Sequence, residues 1–212
     1  MEHEAVSLFP QPLIKVNIDI DGVAKFFDEK IRGNKETFNN SNYGLNVGLR
    51  HFHNDENVFD IYSELEPLRK SILNSANYTY QKILNHTSTL KFTNAWFNEC
   101  DVGSEQVVHN HCNSIISGTL YLRTDENTCI QFFSPFKSTD FVASLVDEPS
   151  QENFNRFGYV FHHDVTSINV SDGVCLFWGS HIKHGYPPNK TPGRLSLSFN
   201  LIPSVFNCTY KI

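Results

Sequence analysis

From Leu90 onward the chain is a succession of short β-forming runs, FTNAWFN, EQVVHNH, SIISGTLYLR, TCIQFFS, TSINV, GVCLFWG and RLSLSFNLI, each bounded by Gly, Pro, Asp or Asn. Seven short strands at this spacing have exposed edges unless they close on one another, so the pattern points to a jelly roll or a related β-sandwich barrel. The chain before Leu90 is different in kind. SLFPQPLIKVNIDI ends in the alternation Ile14, Val16, Ile18, Ile20 and suits an entry or edge strand, because its prolines could not serve an inner one. Residues 22 to 32 suit a short helix, and Asn34 to Asn57, rich in Asn, Gly and His, suits loops with one short strand around Leu45 to Phe52. A clearer helix starts near Ser63, with Glu66 three residues on in a capping-box pattern and Pro67 in the first turn. Its stripe of Leu65, Leu68, Ile72, Ala76, Ile83 and Leu84 predicts one face packed on something flat.

At 212 residues, with 40% hydrophobic, 13% aromatic and 19% charged residues, the chain has material for one large packed core, so a folded globular protein is expected rather than a disordered one. The expectation is a single domain over 1–212, an α+β but mainly β protein, in which 1–90 supply a strand and supporting helices and 91–203 the β core. A net charge of −6 without a run of Lys or Arg makes nucleic acid a poor partner. The N-terminus MEHEAVSLFP carries acids where a signal peptide would be basic, and no apolar run reaches the length of a membrane span, so a cytoplasmic, soluble protein is expected. Five cysteines without C-x-x-C pairing, Cys100, Cys112, Cys129, Cys175 and Cys208, argue for reduced thiols rather than disulfides or a thiolate zinc cluster.

Histidine carries the chemistry. His109 and His111 stand at i and i+2 in a β-type run, so both imidazoles face one side of a strand, as chelation of one metal would need. The segment DGVCLFWGSHIKHGYPPNKTPGRLSLSFN then gives a strand, a turn, His184, a Pro-rich hairpin and a second strand, which places His184 and Arg194 on adjacent antiparallel strands. Arg194, Ser196, Ser198 and Asn200 alternate there with Leu195, Leu197 and Phe199. If that polar face looks into the barrel, it lines a ligand cavity.

With His109-x-His111, a distal His184, and Arg194-x-Ser196 ten residues later, the chain resembles the 2-oxoglutarate and Fe(II)-dependent oxygenases. The ordered set SLFPQP, Trp96 to Asn98, His109 to Ser114, SGTLYL, GVCLFW and RLSLSFN is similar to a small 2OG-Fe(II) oxygenase branch of bacteria and phages, over nearly the whole chain. The resemblance implies a double-stranded β-helix of the cupin-like, jelly-roll kind. It implies iron(II) on His109, His111 and His184, with open positions for 2-oxoglutarate and O2, and hydroxylation of a small-molecule or peptide substrate with release of succinate and CO2. The far carboxylate of 2-oxoglutarate would sit on Arg194, whose planar fork suits it, and on Ser196. Asn98, eleven residues before His109, would assist the near end; Cys100 stands where related oxygenases carry a Tyr, so Ser196 or Tyr121 is expected to supply the missing donor. His111 replaces the family's acidic ligand, which leaves a bound metal more positive.

Rival residues are weaker. His162-His163-Asp164 contains a literal His-x-Asp but lies too few residues before His184 for the strands that intervene in this fold, and His181 suits a solvent-facing turn. His51-x-His53 falls in the Asn-rich loop. Trp96, Phe132, Phe133, Phe177 and Trp178 read as packing residues. Two other function classes stand beside the leading one: a three-histidine metal dioxygenase without 2-oxoglutarate, and a non-catalytic β-sandwich interaction module.

Overall fold

The two longest alternating runs, β4 (Leu90–Cys100) and β11 (Arg194–Pro203), lie side by side in the middle of the larger sheet. That sheet adds β1 (Leu13–Asn17), β2 (Phe38–Asn40), β3 (Leu49–Phe52), β6 (Ile116–Arg123) and β9 (Val174–Gly179), in the order β1-β9-β6-β11-β4-β3-β2. A smaller sheet of β5 (Gln106–His109), β7 (Cys129–Phe133), β8 (Val165–Asn169) and β10 (Lys183–Tyr186) runs β5-β10-β7-β8. The pairings are antiparallel throughout both sheets. The computed structural model describes residues 11–33, 38–40, 48–135 and 165–205. His162, His163, Asp164, Cys208, most of SLFPQP and most of the 34–47 stretch lie outside the described residues.

The two faces of the larger sheet have different neighbours. Leu195, Leu197, Phe199 and Leu201 project from β11 into one apolar cluster with Phe27, Ile31, Phe52, Phe97, Leu68, Ile72 and Ala76. Phe52 and Phe97 belong to β3 and β4, Phe27 and Ile31 to the wide turn that continues α1 (Val23–Phe26), and Leu68, Ile72 and Ala76 to α3 (Glu66–Tyr78); with Val58 and Phe59 of the short α2 (Val58–Ile61), the N-terminal helices buttress the larger sheet. Burying that much Leu, Ile and Phe surface is the main stabilising term of the fold. Phe199 lies flat over Gly118, where an added Cβ would meet the ring at 2.4 Å, so glycine is required in the middle of β6.

One charge is buried in this layer. Glu99 is fully covered and pairs with Arg32 of the N-terminal turn and, at 3.0 Å, with Arg50 of β3. Arg50 also binds Asp101 at 2.9 Å, and Arg32 reaches Asp28, so the buried carboxylate is neutralised on two sides.

Four expectations are corrected. The capping box does not form: Ser63–Leu65 is a tight turn preceding α3, the N-cap is Leu65, and only Pro67 plays its expected part in the first turn. After Tyr78 the helix widens into a π turn, Thr79–Ile83, whose extra residue per turn rotates the stripe, burying Tyr80 and leaving Ile83 half exposed. The short strand expected around Leu45 to Phe52 does form, as β3 paired with β4 along Leu49–Phe52, and His51 belongs to it rather than to the Asn-rich loop. Finally, His184 and Arg194 are not on paired strands: β10 bonds to β5 and β7, and β11 to β4 and β6. Pro187 and Pro188 lack the N–H groups that would extend a hairpin ladder, and the chain crosses there from one sheet to the other. Among the described residues no helix is long and apolar enough to cross a membrane.

Candidate active site

The polar face of β11 looks into the space between the sheets. In register with it, Arg194 pairs Cys100, Ser196 lies between Asn98 and Tyr121, and Ser198 between Trp96 and Thr119. From β9, Trp178 and Leu176 face the same way, and from the opposing sheet β10 contributes His184 and Tyr186. Apart from Cys100 and Leu176 these residues line one pocket, with its part-exposed end at His109 and His111 and its buried end at Arg194.

At its mouth His109, His111 and His184 converge, their ligand nitrogens all within 4.8 Å of one another. The pairing of β10 with β5 sets His184 directly opposite His109, with ring centroids 4.4 Å apart, while His111 follows β5 and is held by its own N–H on the Ser180 carbonyl at 3.0 Å. His109 Nδ1 donates to the Val107 carbonyl (2.8 Å) and His184 Nδ1 to the Ile182 carbonyl (3.0 Å). A carbonyl can only accept, so both rings carry their proton on Nδ1 and turn a bare Nε2 towards the centre. Burial holds all three imidazoles below the ordinary histidine range, His111 at about 4 and His184 at about 3. They are therefore neutral near pH 7, the form that ligates a metal. Three convergent neutral imidazoles suit a divalent transition metal such as iron.

At the inner end lies Arg194, only 4% exposed. Its guanidinium stacks on the Tyr186 ring, 4.1 Å from the ring centre, and one Nη donates to the Cys129 carbonyl at 3.3 Å. No carboxylate among the described residues pairs with it. Arg194 Nε, the Tyr121 hydroxyl and Trp178 Nε1 are buried without a well-formed hydrogen bond. Three under-satisfied donors in one pocket would suit an acceptor-rich, anionic ligand. Burial pushes the Tyr121 phenol up to about 12 and raises that of Tyr186, so both keep their protons.

Asn98 connects the two ends. Its Oδ1 accepts from Trp96 Nε1 (2.9 Å) and from His51 Nδ1 (2.6 Å), and its amide donates to Ser198 Oγ (2.9 Å). The indole N–H can only donate, which fixes the amide orientation and aims Asn98 Nδ2 along the pocket. Each of the seven site residues expected from the sequence, His109, His111, His184, Arg194, Ser196, Asn98 and Tyr121, lines this pocket. His181 is exposed and bonds Gln11, away from the cluster.

Other residues of the pocket were not legible as such. Trp96 and Trp178 line it, Trp178 also packing with Leu176 and Ile130 as expected, whereas Phe177 belongs to the core under the helices. The signal for Trp178 is present in GVCLFWG, where Val174, Leu176 and Trp178 share one face. Tyr186 has no local signal: its hydroxyl meets the Cys100 thiol at 3.0 Å from the opposite sheet.

A family model described as "Putative 2OG-Fe(II) oxygenase" matches residues 94–200, just over half the chain and all of the pocket strands but β3. The chain belongs to the 2OG-Fe(II) oxygenase family. This makes it an oxidoreductase of the iron(II), 2-oxoglutarate and O2 type, with a three-histidine site. No curated protein sequence matches it. Its fold is similar to that of SnoN from nogalamycin biosynthesis, described as a non-heme alpha-ketoglutarate-dependent epimerase, with a TM-score of 0.63 at 14% identity over 92% of this chain and 79% of that one. It is also similar to HygX from Streptomyces hygroscopicus, solved with nickel, 2-oxoglutarate and hygromycin B (TM-score 0.55, 12% identity, 92% and 84% coverage), and to a Pseudomonas putida prolyl-4-hydroxylase (0.53, 12%, 92% and 94%). At such identities the likeness is one of fold, the double-stranded β-helix, and that one scaffold serves an epimerase and a hydroxylase alike.

Proposed function

We propose that this oxygenase hydroxylates a C–H bond of a small-molecule or peptide substrate, with iron(II) on His109, His111 and His184, 2-oxoglutarate on Arg194, Ser196, Asn98 and Tyr121, and release of succinate and CO2. The observation that carries the reading is Arg194: a buried guanidinium without an acidic partner among the described residues, facing the same pocket as three neutral imidazoles. A buried cation left unpaired is costly, and a dianionic cosubstrate removes that cost on binding. When bound, iron with 2-oxoglutarate and O2 supplies the oxidising power.

The chain's own residues orient and enclose. His109 and His184 offer Nε2 because backbone carbonyls hold their Nδ1 protons. Arg194 Nε and the Tyr121 hydroxyl lack a well-formed hydrogen bond within the protein and would both serve the far carboxylate. Tyr186 stacks beneath the guanidinium and stands where the Cys100 side chain stops short, so the phenol absent at position 100 is supplied from the facing sheet. Trp178 lies edge-on to His184, 4.8 Å between ring centres, and shields the metal side from water.

The test is an anaerobic titration with Fe(II) and 2-oxoglutarate, followed by the visible charge-transfer band and, on adding O2, by succinate. Arg194→Leu keeps metal affinity and loses roughly two orders of magnitude in 2-oxoglutarate affinity, at about 1.4 kcal/mol per tenfold. Arg194→Lys recovers part of it, since a point charge remains without the fork. Unchanged 2-oxoglutarate affinity in Arg194→Leu would mean that the carboxylate is held elsewhere.

A further inference from the structure

β5 is irregular where it borders the pocket. His109 pairs with His184 and Gln106 with Tyr186, so three steps along β5 match two along β10. The extra residue makes a β-bulge in which Val107 and Val108 together stand against Gly185, and both valines are well exposed, at 40% and 42%. In a regular strand residues three apart project from opposite faces. The bulge brings Gln106 and His109 to the same one, and both line the pocket. Gly185 permits the close approach, since a Cβ there would meet the Gln106 carbonyl oxygen at 2.7 Å.

The register also fixes how deep Gln106 stands. His109 is level with His184 at the metal end, whereas Gln106 is level with Tyr186, whose ring centre lies 4.1 Å from the Arg194 guanidinium. The wall around it is apolar: Leu49, which lines the same pocket, clusters with Tyr186 and Cys100. Gln106 is half-buried there, and among the described residues its side-chain amide has no hydrogen-bond partner. A carboxylate offers about four lone-pair positions to donors. In the reading above, Arg194, Ser196 and Tyr121 serve the far carboxylate of 2-oxoglutarate from β11 and β6, strands of the larger sheet. On the smaller sheet the Tyr186 hydroxyl is engaged with the Cys100 thiol, which leaves the Gln106 amide as the unengaged donor at that level. We propose that Gln106 is a further binding residue of the cosubstrate site, its side-chain N–H donating to the far carboxylate from the face opposite the larger sheet. The proposal rests on the cosubstrate reading above.

Calorimetric titration of the zinc-loaded full chain with 2-oxoglutarate tests it, zinc serving as a metal that supports no turnover. Gln106→Leu keeps zinc affinity and the urea midpoint of the ligand-free protein, and weakens 2-oxoglutarate by about tenfold, the loss of one neutral donor to a charged acceptor. Gln106→Glu has the same length but sets a negative charge beside the incoming carboxylate and within reach of the guanidinium, so it weakens 2-oxoglutarate further than Gln106→Leu does. Unchanged affinity in Gln106→Leu, or Gln106→Glu binding no worse than Gln106→Leu, overturns the proposal, as does a parallel loss of zinc affinity, which would make Gln106 a strut of the histidine strand. Arg194→Leu in the same titration separates the two readings: if it leaves 2-oxoglutarate affinity unchanged, the cosubstrate reading fails and the proposal with it, whereas a loss in Arg194→Leu without one in Gln106→Leu overturns the proposal alone.

Discussion

Glu99 and Arg194 sit on neighbouring strands of one sheet, each buried and each charged, yet they belong to different kinds of interior. Glu99 faces the helices, and Arg32 and Arg50 neutralise it within the layer. Arg194 faces the space between the sheets, stacked on Tyr186 and without an acid among the described residues. The same contrast runs along β11, where Leu195, Leu197 and Phe199 are fully covered on one face and Arg194, Ser196 and Asn200 nearly so on the other. Burial alone therefore does not separate core from site. What separates them is whether the buried groups are satisfied by the protein itself.

The contrast is sharpest in stability, where the outer face should dominate. Phe199→Ala removes a fully buried ring from the helix-sheet layer and should cost about 3–5 kcal/mol in urea unfolding, whereas Ser196→Ala, on the opposite face of the same strand, should stay within about 1 kcal/mol. Equal losses would erase the distinction between the faces. Next come the two charges. Glu99→Gln breaks a buried ion pair and should cost roughly 1–3 kcal/mol, less than for a fully buried pair because Arg32 and Arg50 are partly exposed and rehydrate. Arg194→Leu, which loses no ion-pair partner, should leave the ligand-free protein as stable as before or more so. Destabilisation by Arg194→Leu comparable to that of Glu99→Gln would show a structural role for the guanidinium.

Acid should act through the inner face. In the metal-free protein burial holds His184 at about 3 and His111 at about 4, against about 6.5 in the unfolded chain. Between those values the unfolded state binds more protons, so folding stability is level above about pH 6.5 and falls as the pH drops towards 4. His184→Gln should flatten that acid limb in urea midpoints measured with a chelator present; an unchanged limb would assign the acid sensitivity to other groups. The smallest effect belongs to Ser196→Ala on ligand binding. It removes one neutral donor and should weaken 2-oxoglutarate by less than tenfold in the same titration as Arg194→Leu, so a loss as large as the arginine's would make Ser196 an equal partner.

Much of this was legible in the chain because strands write their faces into period two. All seven expected β runs form strands, and the RLSLSFN alternation declared both the apolar layer under Phe199 and the polar lining under Ser196. The histidine and arginine constellation was legible for the same reason, with His109 and His111 two apart and Arg194 leading the polar row. Other features escaped because they depend on what stands opposite. Tyr186 and Trp178 look like ordinary packing residues until the second sheet closes over them, and His51 looks like a loop residue until β3 pairs with β4 and brings it to Asn98. The π turn after Tyr78 moved Ile83 outward, a shift of one residue that a 3.6-residue stripe does not encode.

Local chemistry in the sequence thus determined which segments become strands, which side of each is polar, and which residue types gather at the site, since side-chain alternation and turn residues act within a few positions. Only the tertiary structure decided that His184 and Arg194 reach the pocket from opposite sheets, that Tyr186 fills the place beside Cys100, and that Arg194 meets no acid among the described residues while Glu99 meets two bases. Those outcomes depend on contacts between residues dozens of positions apart, and no pattern within a strand specifies what will face it across the pocket.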